Sequence, residues 1–118
     1  MSEFLNVCPK LPMRNAAITK EFYQKKLQFE LIGDYGNYLL FKKDTVEIHF
    51  FEFTDLNPLE NYGQIYIRLN EIEIYYNQLI NNNISIHPNG KLELKSWGQI
   101  EFAILDPYYN LITFGESR

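Results

Sequence analysis

Only one cysteine, Cys8, occurs in the 118-residue chain. That excludes an intrachain disulfide framework and a cysteine-rich zinc site, and it fits a reducing compartment. No apolar run approaches the ~20 residues that span a membrane. The opening MSEFLNVCPK has no basic stretch followed by an apolar one, so no secretory leader is expected and the expected location is cytoplasmic. Basic residues are also in deficit: 11 Lys and Arg against 15 Asp and Glu leave a net charge of -4. A general nucleic-acid binder wants a basic face, so neither nucleic acid nor membrane is expected as a partner. The acidic balance suits a cationic ligand. Catalytic signatures are missing as well: there is no GxSxG, no HExxH and no glycine-rich phosphate loop.

Aromatic rings are plentiful, with nine Tyr, nine Phe and one Trp making up 16% of the chain. Many must be core or interface, and Tyr in excess also suits flat-ring ligands. A length of 118 residues and 46% hydrophobic content describe one globular domain that can bury a core of its own.

The pattern along the chain alternates between strand and helix signals. Residues 4–13 are extended, but Pro9 and Pro12 restrict them to an edge or irregular strand. Asn15 is placed to cap a helix over 16–27, with Ile18, Phe22 and Leu27 on its buried face. Strands follow at 29–32, 38–42 and 46–53, separated by the DYGN turn and the KKDT turn. In the last of these Val46, Ile48 and Phe50 face one way, and Glu47, His49 and Phe51 the other. After the loop 54–62, residues 63–69 alternate again, with Gln64, Tyr66 and Arg68 on the polar face. Asn70 is placed to cap a second helix over 71–82, burying Ile72, Tyr75 or Tyr76, and Leu79, and ending at Asn81–Asn83. A short strand at 84–87, an irregular loop over 88–96, and strands at 99–105 and 111–114 complete the chain.

The two halves share this order, and Asn15 and Asn70 begin matching segments about 55 residues apart. The expected fold class is α+β: two βαβββ modules, about 1–54 and 62–118, forming curved mixed sheets with helices on the outer side. An α+β sandwich without internal duplication is the other reading.

Four stretches carry a resemblance: KLPMRNAAITKEFYQKKLQF (10–29), DTVEIHFFEFTDLNPLENY (44–62), IRLNEIEIYYNQL (67–79) and SWGQIEFAILDPYYNLITF (96–114). Together the chain resembles the vicinal oxygen chelate superfamily, in its bleomycin-resistance branch. Tyr109 departs from the pattern, since that turn usually has Gly. The resemblance implies a homodimer whose first strand exchanges between subunits at a hinge, here Pro9. It also implies two clefts at the dimer interface that sequester glycopeptide antibiotics of the bleomycin type without chemistry. Metal enzymes of the superfamily place ligands on the first, fifth and eighth strands, and the matched positions are Cys8, Gln64 and Thr113. A thiol, an amide and a hydroxyl make a poor site for a hard divalent ion. The expectation is therefore no cofactor, no metal and no catalysis. A metal-dependent glyoxalase- or thiol-transferase-like enzyme, or a module for another aromatic metabolite, are the alternatives.

The expected ligand-binding residues are Tyr38, Glu47, His49, Phe51, Gln64, Tyr66, Arg68 and Trp97. Trp97 stands in a Ser-Trp-Gly loop, where the resemblance puts a cleft mouth. Glu47 and Glu101 add carboxylates for a flat, cationic ligand. Each of these residues also has an ordinary reading as half-exposed strand surface. Cys8 with His49 would form a nucleophile pair if strands one and four adjoin, against the common buried, inert cysteine. Glu47 with Glu101 would form an acid/base pair if brought together, against solvated carboxylates.

Overall fold

The computed structural model describes all residues, Met1–Arg118. The first module runs β1 (Lys10–Met13), a helix α1 (Ala16–Lys20) that continues through a wider π-helical stretch (Glu21–Lys26), β2 (Glu30–Asp34), β3 (Tyr38–Lys43) and β4 (Val46–Glu52). The second runs β5 (Gln64–Arg68), α2 (Ile72–Asn81), β6 (Glu93–Leu94), β7 (Gln99–Leu105) and β8 (Leu111–Ser117). The sheets have matching orders, β1-β4-β3-β2 and β5-β8-β7-β6. In each, the first strand lies parallel to the last of its module while the other pairs are antiparallel. That is the α+β fold of two βαβββ modules that the sequence pattern leads one to expect. No helix is long and apolar enough to cross a membrane.

Side-chain chemistry explains the helix boundaries, with two corrections. Asn15 caps α1 as expected, its Oδ1 accepting from the Ile18 amide at 3.0 Å. The buried face is different: Thr19, Tyr23 and Leu27 are buried and Phe22 is half-buried, while Ile18 is exposed. The wider turn is the reason. The Leu27 amide donates to the Phe22 carbonyl, five residues back, and this shifts the phase of the face. In α2 the cap is Glu71 rather than Asn70, and it sits in the left-handed region at φ 52°. Its own side chain makes no capping bond; the Glu116 carboxylate on β8 accepts from the Glu71 and Ile72 amides at 3.0 and 3.2 Å. Negative charge at a helix start also meets the positive end of its dipole. Asn83, at φ 62°, ends the helix in the left-handed conformation expected of an Asn there.

Residues 84–87 form only one isolated bridge, Ile86 with Ile104, rather than a strand. No residue before Lys10 belongs to a strand, although the Pro9 carbonyl accepts from the His49 amide of β4. Tyr109 takes φ 65°, so the residue standing where Gly is usual adopts the conformation Gly would favour.

One hydrophobic core joins the modules. Tyr23, Phe29, Phe41 and Phe50 of the first and Ile72, Leu79, Phe102 and Phe114 of the second belong to a single buried cluster. Each such side chain contributes roughly 1.5–3 kcal/mol relative to exposure. A polar bolt crosses the same boundary. Asp106, in the β7–β8 turn, accepts from the Tyr23 hydroxyl at 2.8 Å, from Asn110 Nδ2 at 2.7 Å, and from the Tyr108 and Asn110 amides at 2.9 and 3.0 Å. Asn110 Nδ2 also donates to the Pro12 carbonyl on β1 at 3.0 Å. Four donors and no acceptor make this a carboxylate's environment, and every group in it is satisfied.

Candidate functional site

Each sheet carries one cluster of polar and aromatic side chains. On the first, the period of two buries Ile48 and Phe50 and leaves Glu47, His49 and Phe51 half-buried on the other face. The β3–β4 register places Tyr38 opposite Phe51 and Leu40 opposite His49. The Tyr38 hydroxyl is hydrogen-bonded to His49 Nδ1 at 2.8 Å, and His49 Nε2 donates to Glu47 Oε2 at 2.6 Å. That bond to His49 holds the Glu47 carboxyl below its ordinary range. Lys10 Nζ lies 5.5 Å from the centre of the Tyr38 ring. Pro9 accepts from the His49 amide at 2.9 Å, which sets Cys8 alongside Glu47 and His49. Burial and the nearby Glu47 carboxylate push the Cys8 thiol's pKa up, which keeps it a thiol and disfavours a nucleophile.

On the second sheet, Glu101 is 8% exposed, although carboxylates are seldom that buried without partners. Its Oε2 accepts from the Tyr66 hydroxyl at 2.8 Å and from Trp97 Nε1 at 2.9 Å. The two rings remain open to solvent, Tyr66 at 44% and Trp97 at 64% exposure. Desolvation, then the Glu101 carboxylate, push the Tyr66 pKa up. Arg68 lies over the Tyr66 ring, 5.7 Å from its centre. The result is a carboxylate at the base of an aromatic surface, a combination that attracts cations and flat rings together.

This placement depends on a residue that the pattern of alternation does not single out. Gly115 on β8 stands opposite both Arg68 and Glu101. A Cβ built there would fall on the Tyr66 hydroxyl. The glycine therefore opens the path by which Tyr66 reaches across β8 to Glu101. The sequence pattern ends the last strand at 114 and leaves Gly115 outside it; β8 runs on to Ser117, and a lone Gly inside a strand marks a close approach.

The expected residues thus separate into two groups. Tyr38, Glu47, His49 and Phe51 gather on the first sheet, and Tyr66, Arg68 and Trp97 on the second, with Gln64 exposed at the start of β5. Strands one and four do adjoin, so Cys8 and His49 are neighbours. Glu47 and Glu101 are on different sheets, each bonded to its own partners, so they form no acid/base pair within the chain. Of the three positions matched to metal ligands, Cys8 is beside β4, while Gln64 and Thr113 are on the neighbouring strands β5 and β8 of the other sheet.

Two of the surface hollows bear on these clusters. A groove of about 920 Å³ between the modules is lined by Phe29, Val46, Ile67, Tyr75 and Phe114; among the expected ligand residues it includes only Arg68. A smaller hollow of about 230 Å³ is bounded by Glu101, Thr113, His87, Lys91 and Lys95. The smaller one adjoins the polar chemistry, while the larger one lies beside the core and the start of α2.

Comparison with known proteins agrees with the fold. The glyoxalase-like domain family matches residues 6–118. A bleomycin resistance protein of Klebsiella pneumoniae is 26% identical over 104 residues, covering 84% of this chain and 82% of that one. A bleomycin-binding protein solved in complex with bleomycin superposes with a TM-score of 0.87 at 24% identity, over 98% of this chain and 100% of that one. A bleomycin resistance determinant encoded on the transposon Tn5 superposes at 0.88 with 23% identity, over 98% and 99% of the chains. These likenesses support the bleomycin-resistance branch of the vicinal oxygen chelate superfamily, and with its doubled βαβββ fold and a family match over nearly its full length, the chain belongs to the glyoxalase-like domain family.

Proposed function

We propose that this protein binds a flat, cationic small molecule of the bleomycin type and sequesters it unchanged, in clefts between two copies of the chain. The observation that carries the reading is the Glu101 carboxylate, buried beneath the exposed Trp97 and Tyr66 rings. A cationic group would meet the carboxylate while an aromatic part stacks on the rings. Tyr38, His49, Glu47 and Phe51 offer a second patch of the same character on the first sheet. Gln64 and Arg68 extend the polar rim.

The hollow beside Glu101 holds about 230 Å³, below the ~300–1,000 Å³ of sites for drug-sized ligands. A glycopeptide antibiotic therefore needs a second wall, and a second copy of the chain would supply it. The amino-terminal arm supports that pairing: Phe4, Leu5 and Val7 are 98%, 85% and 91% exposed, without cover from their own chain. With Pro9 as hinge, the arm would lie on the partner.

Calorimetric titration with bleomycin tests the proposal, alongside light scattering. The expected results are a saturable heat, one ligand per cleft, and a particle of twice the 14.1 kDa chain mass. No heat at high micromolar bleomycin would refute the ligand. A stable monomer would refute the shared cleft.

A further inference from the structure

The hollow of about 230 Å³ beside Glu101 is bounded by one free acceptor and several free donors. We propose that it takes the end group of the ligand, and that this group is an ammonium with a carbonyl beside it, as in an α-amino acid or its amide. The inference rests on the reading of Glu101 and Trp97 as a ligand site. It narrows a flat cation to a flat molecule whose cation is flanked by an acceptor.

The free acceptor is one oxygen of Glu101. Oε2 already receives the Tyr66 hydroxyl and Trp97 Nε1, at 2.8 and 2.9 Å, whereas Oε1 receives nothing from the protein. No polar side-chain atom sealed from solvent lacks a partner, so Oε1 is open. The two donors hold the carboxylate in place and leave its second oxygen for a ligand's ammonium, a charge-assisted bond.

The donors come from the loop after Ile86 and from β8. His87 Nδ1 accepts from the Asn89 amide at 3.0 Å, so in the neutral ring the proton is on Nε2, which bonds no other group of the protein. Thr113 adds a hydroxyl. Lys95 is paired with Glu93 at 2.6 Å, but Lys91 forms no ion pair. A purely cationic group would meet Lys91 as well as Glu101. A carbonyl oxygen beside the ammonium turns that second contact into an attraction.

Backbone bonds build the rim. The His87 amide donates to the Ala103 carbonyl and the Ala103 amide donates to the Gly90 carbonyl, both at 2.9 Å, so the loop is clamped to β7 at one residue. A Cβ at Gly90 would lie 2.7 Å from the Ala103 Cβ, and only glycine allows so close an approach. At ~30 Å³ for each water-sized atom, the hollow has room for about eight heavy atoms. That holds the end group and excludes an aromatic ring with it. The ring stays outside, against the exposed Trp97.

Four probes with one phenyl ring and different ends test this: phenylalanine, phenylalaninamide, phenethylamine and hydrocinnamate, which has the carboxylate without the amine. Each is titrated into the full chain and followed by the fluorescence of Trp97, the single tryptophan. Phenylalanine or its amide should bind roughly tenfold more tightly than phenethylamine or hydrocinnamate, the size of one hydrogen bond to a charged group. The tighter of the two tells a carboxylate from a carboxamide. Lys91→Gln should weaken that probe about threefold, as for an exposed charge, and leave phenethylamine unchanged. Glu101→Gln should weaken the amines and not hydrocinnamate. Circular dichroism checks that both variants keep their secondary structure. Equal binding of phenethylamine and the carbonyl-bearing amines overturns the inference. So does a preference that Lys91→Gln leaves intact, or no change in fluorescence at millimolar probe. Bleomycin is titrated alongside. Saturable bleomycin binding without a preference among the probes overturns the end group alone, and the preference without bleomycin binding overturns the antibiotic reading alone.

Discussion

Tyr23→Phe isolates the polar bolt between the modules, because it removes one oxygen and leaves the ring. The Tyr23 ring packs against Phe22, Phe29, Phe41 and Phe50 at centroid distances of 4.6 to 6.0 Å, contacts that Phe retains. What is lost is the 2.8 Å bond to Asp106, which is 4% exposed. A hydrogen bond to a charged group is worth ~1.5–3 kcal/mol, so a loss of about 2 kcal/mol is expected at neutral pH. For a chain of this size that lowers Tm by roughly 6–12 °C. Urea unfolding should show a lower midpoint at an unchanged slope, since no surface is newly exposed. In an Asp106→Asn background the same change should cost about 1 kcal/mol less, because the anion is already gone.

The pH dependence has two parts. Burial outweighs the four donors and raises the Asp106 pKa above 3.8. Its contribution to stability is therefore fully present below the unfolded value and fades as pH rises through the folded one. The Tyr23 hydroxyl acts the other way, holding that pKa down. The margin of the parent over Tyr23→Phe should thus be full at neutral pH and narrow as pH falls through the folded Asp106 value. A loss below about 0.5 kcal/mol, or one equally large in the Asp106→Asn background, would refute the bolt.

Trp97→Ala removes a large flat surface above Glu101 and should weaken bleomycin binding by about 2 kcal/mol, roughly thirtyfold by calorimetry, with the fold retained. Gly115→Ala should act on the same site without touching ligand: its methyl would displace the Tyr66 hydroxyl from Glu101. The expected readout is weaker binding together with a Tyr66 pKa closer to 10.0 in a spectrophotometric titration, because the Glu101 bond and burial both raise it. Unaltered affinity and titration in Gly115→Ala would show that Tyr66 needs no such opening.

What the sequence determined by itself was local. Alternation over 46–52 names the two faces of β4 because strand side chains point in opposite directions residue by residue. Asn15 and Asn83 mark helix ends because their side chains and backbones satisfy short-range needs. The two-module fold was legible for the same reason, since a repeated order of strands and helices is itself a pattern along the chain. Tertiary structure alone decided which distant groups meet. Tyr23 finds Asp106 across 83 positions, Tyr66 finds Glu101 across 35, and Glu116 caps a helix 44 positions earlier. The exposed Ile18 belongs with these, because only the packing of a widened helical turn selects Tyr23 for the core. Nothing in local periodicity encodes such pairs. They follow from sheet register and module packing, which set the few ångströms over which a hydrogen bond either forms or does not.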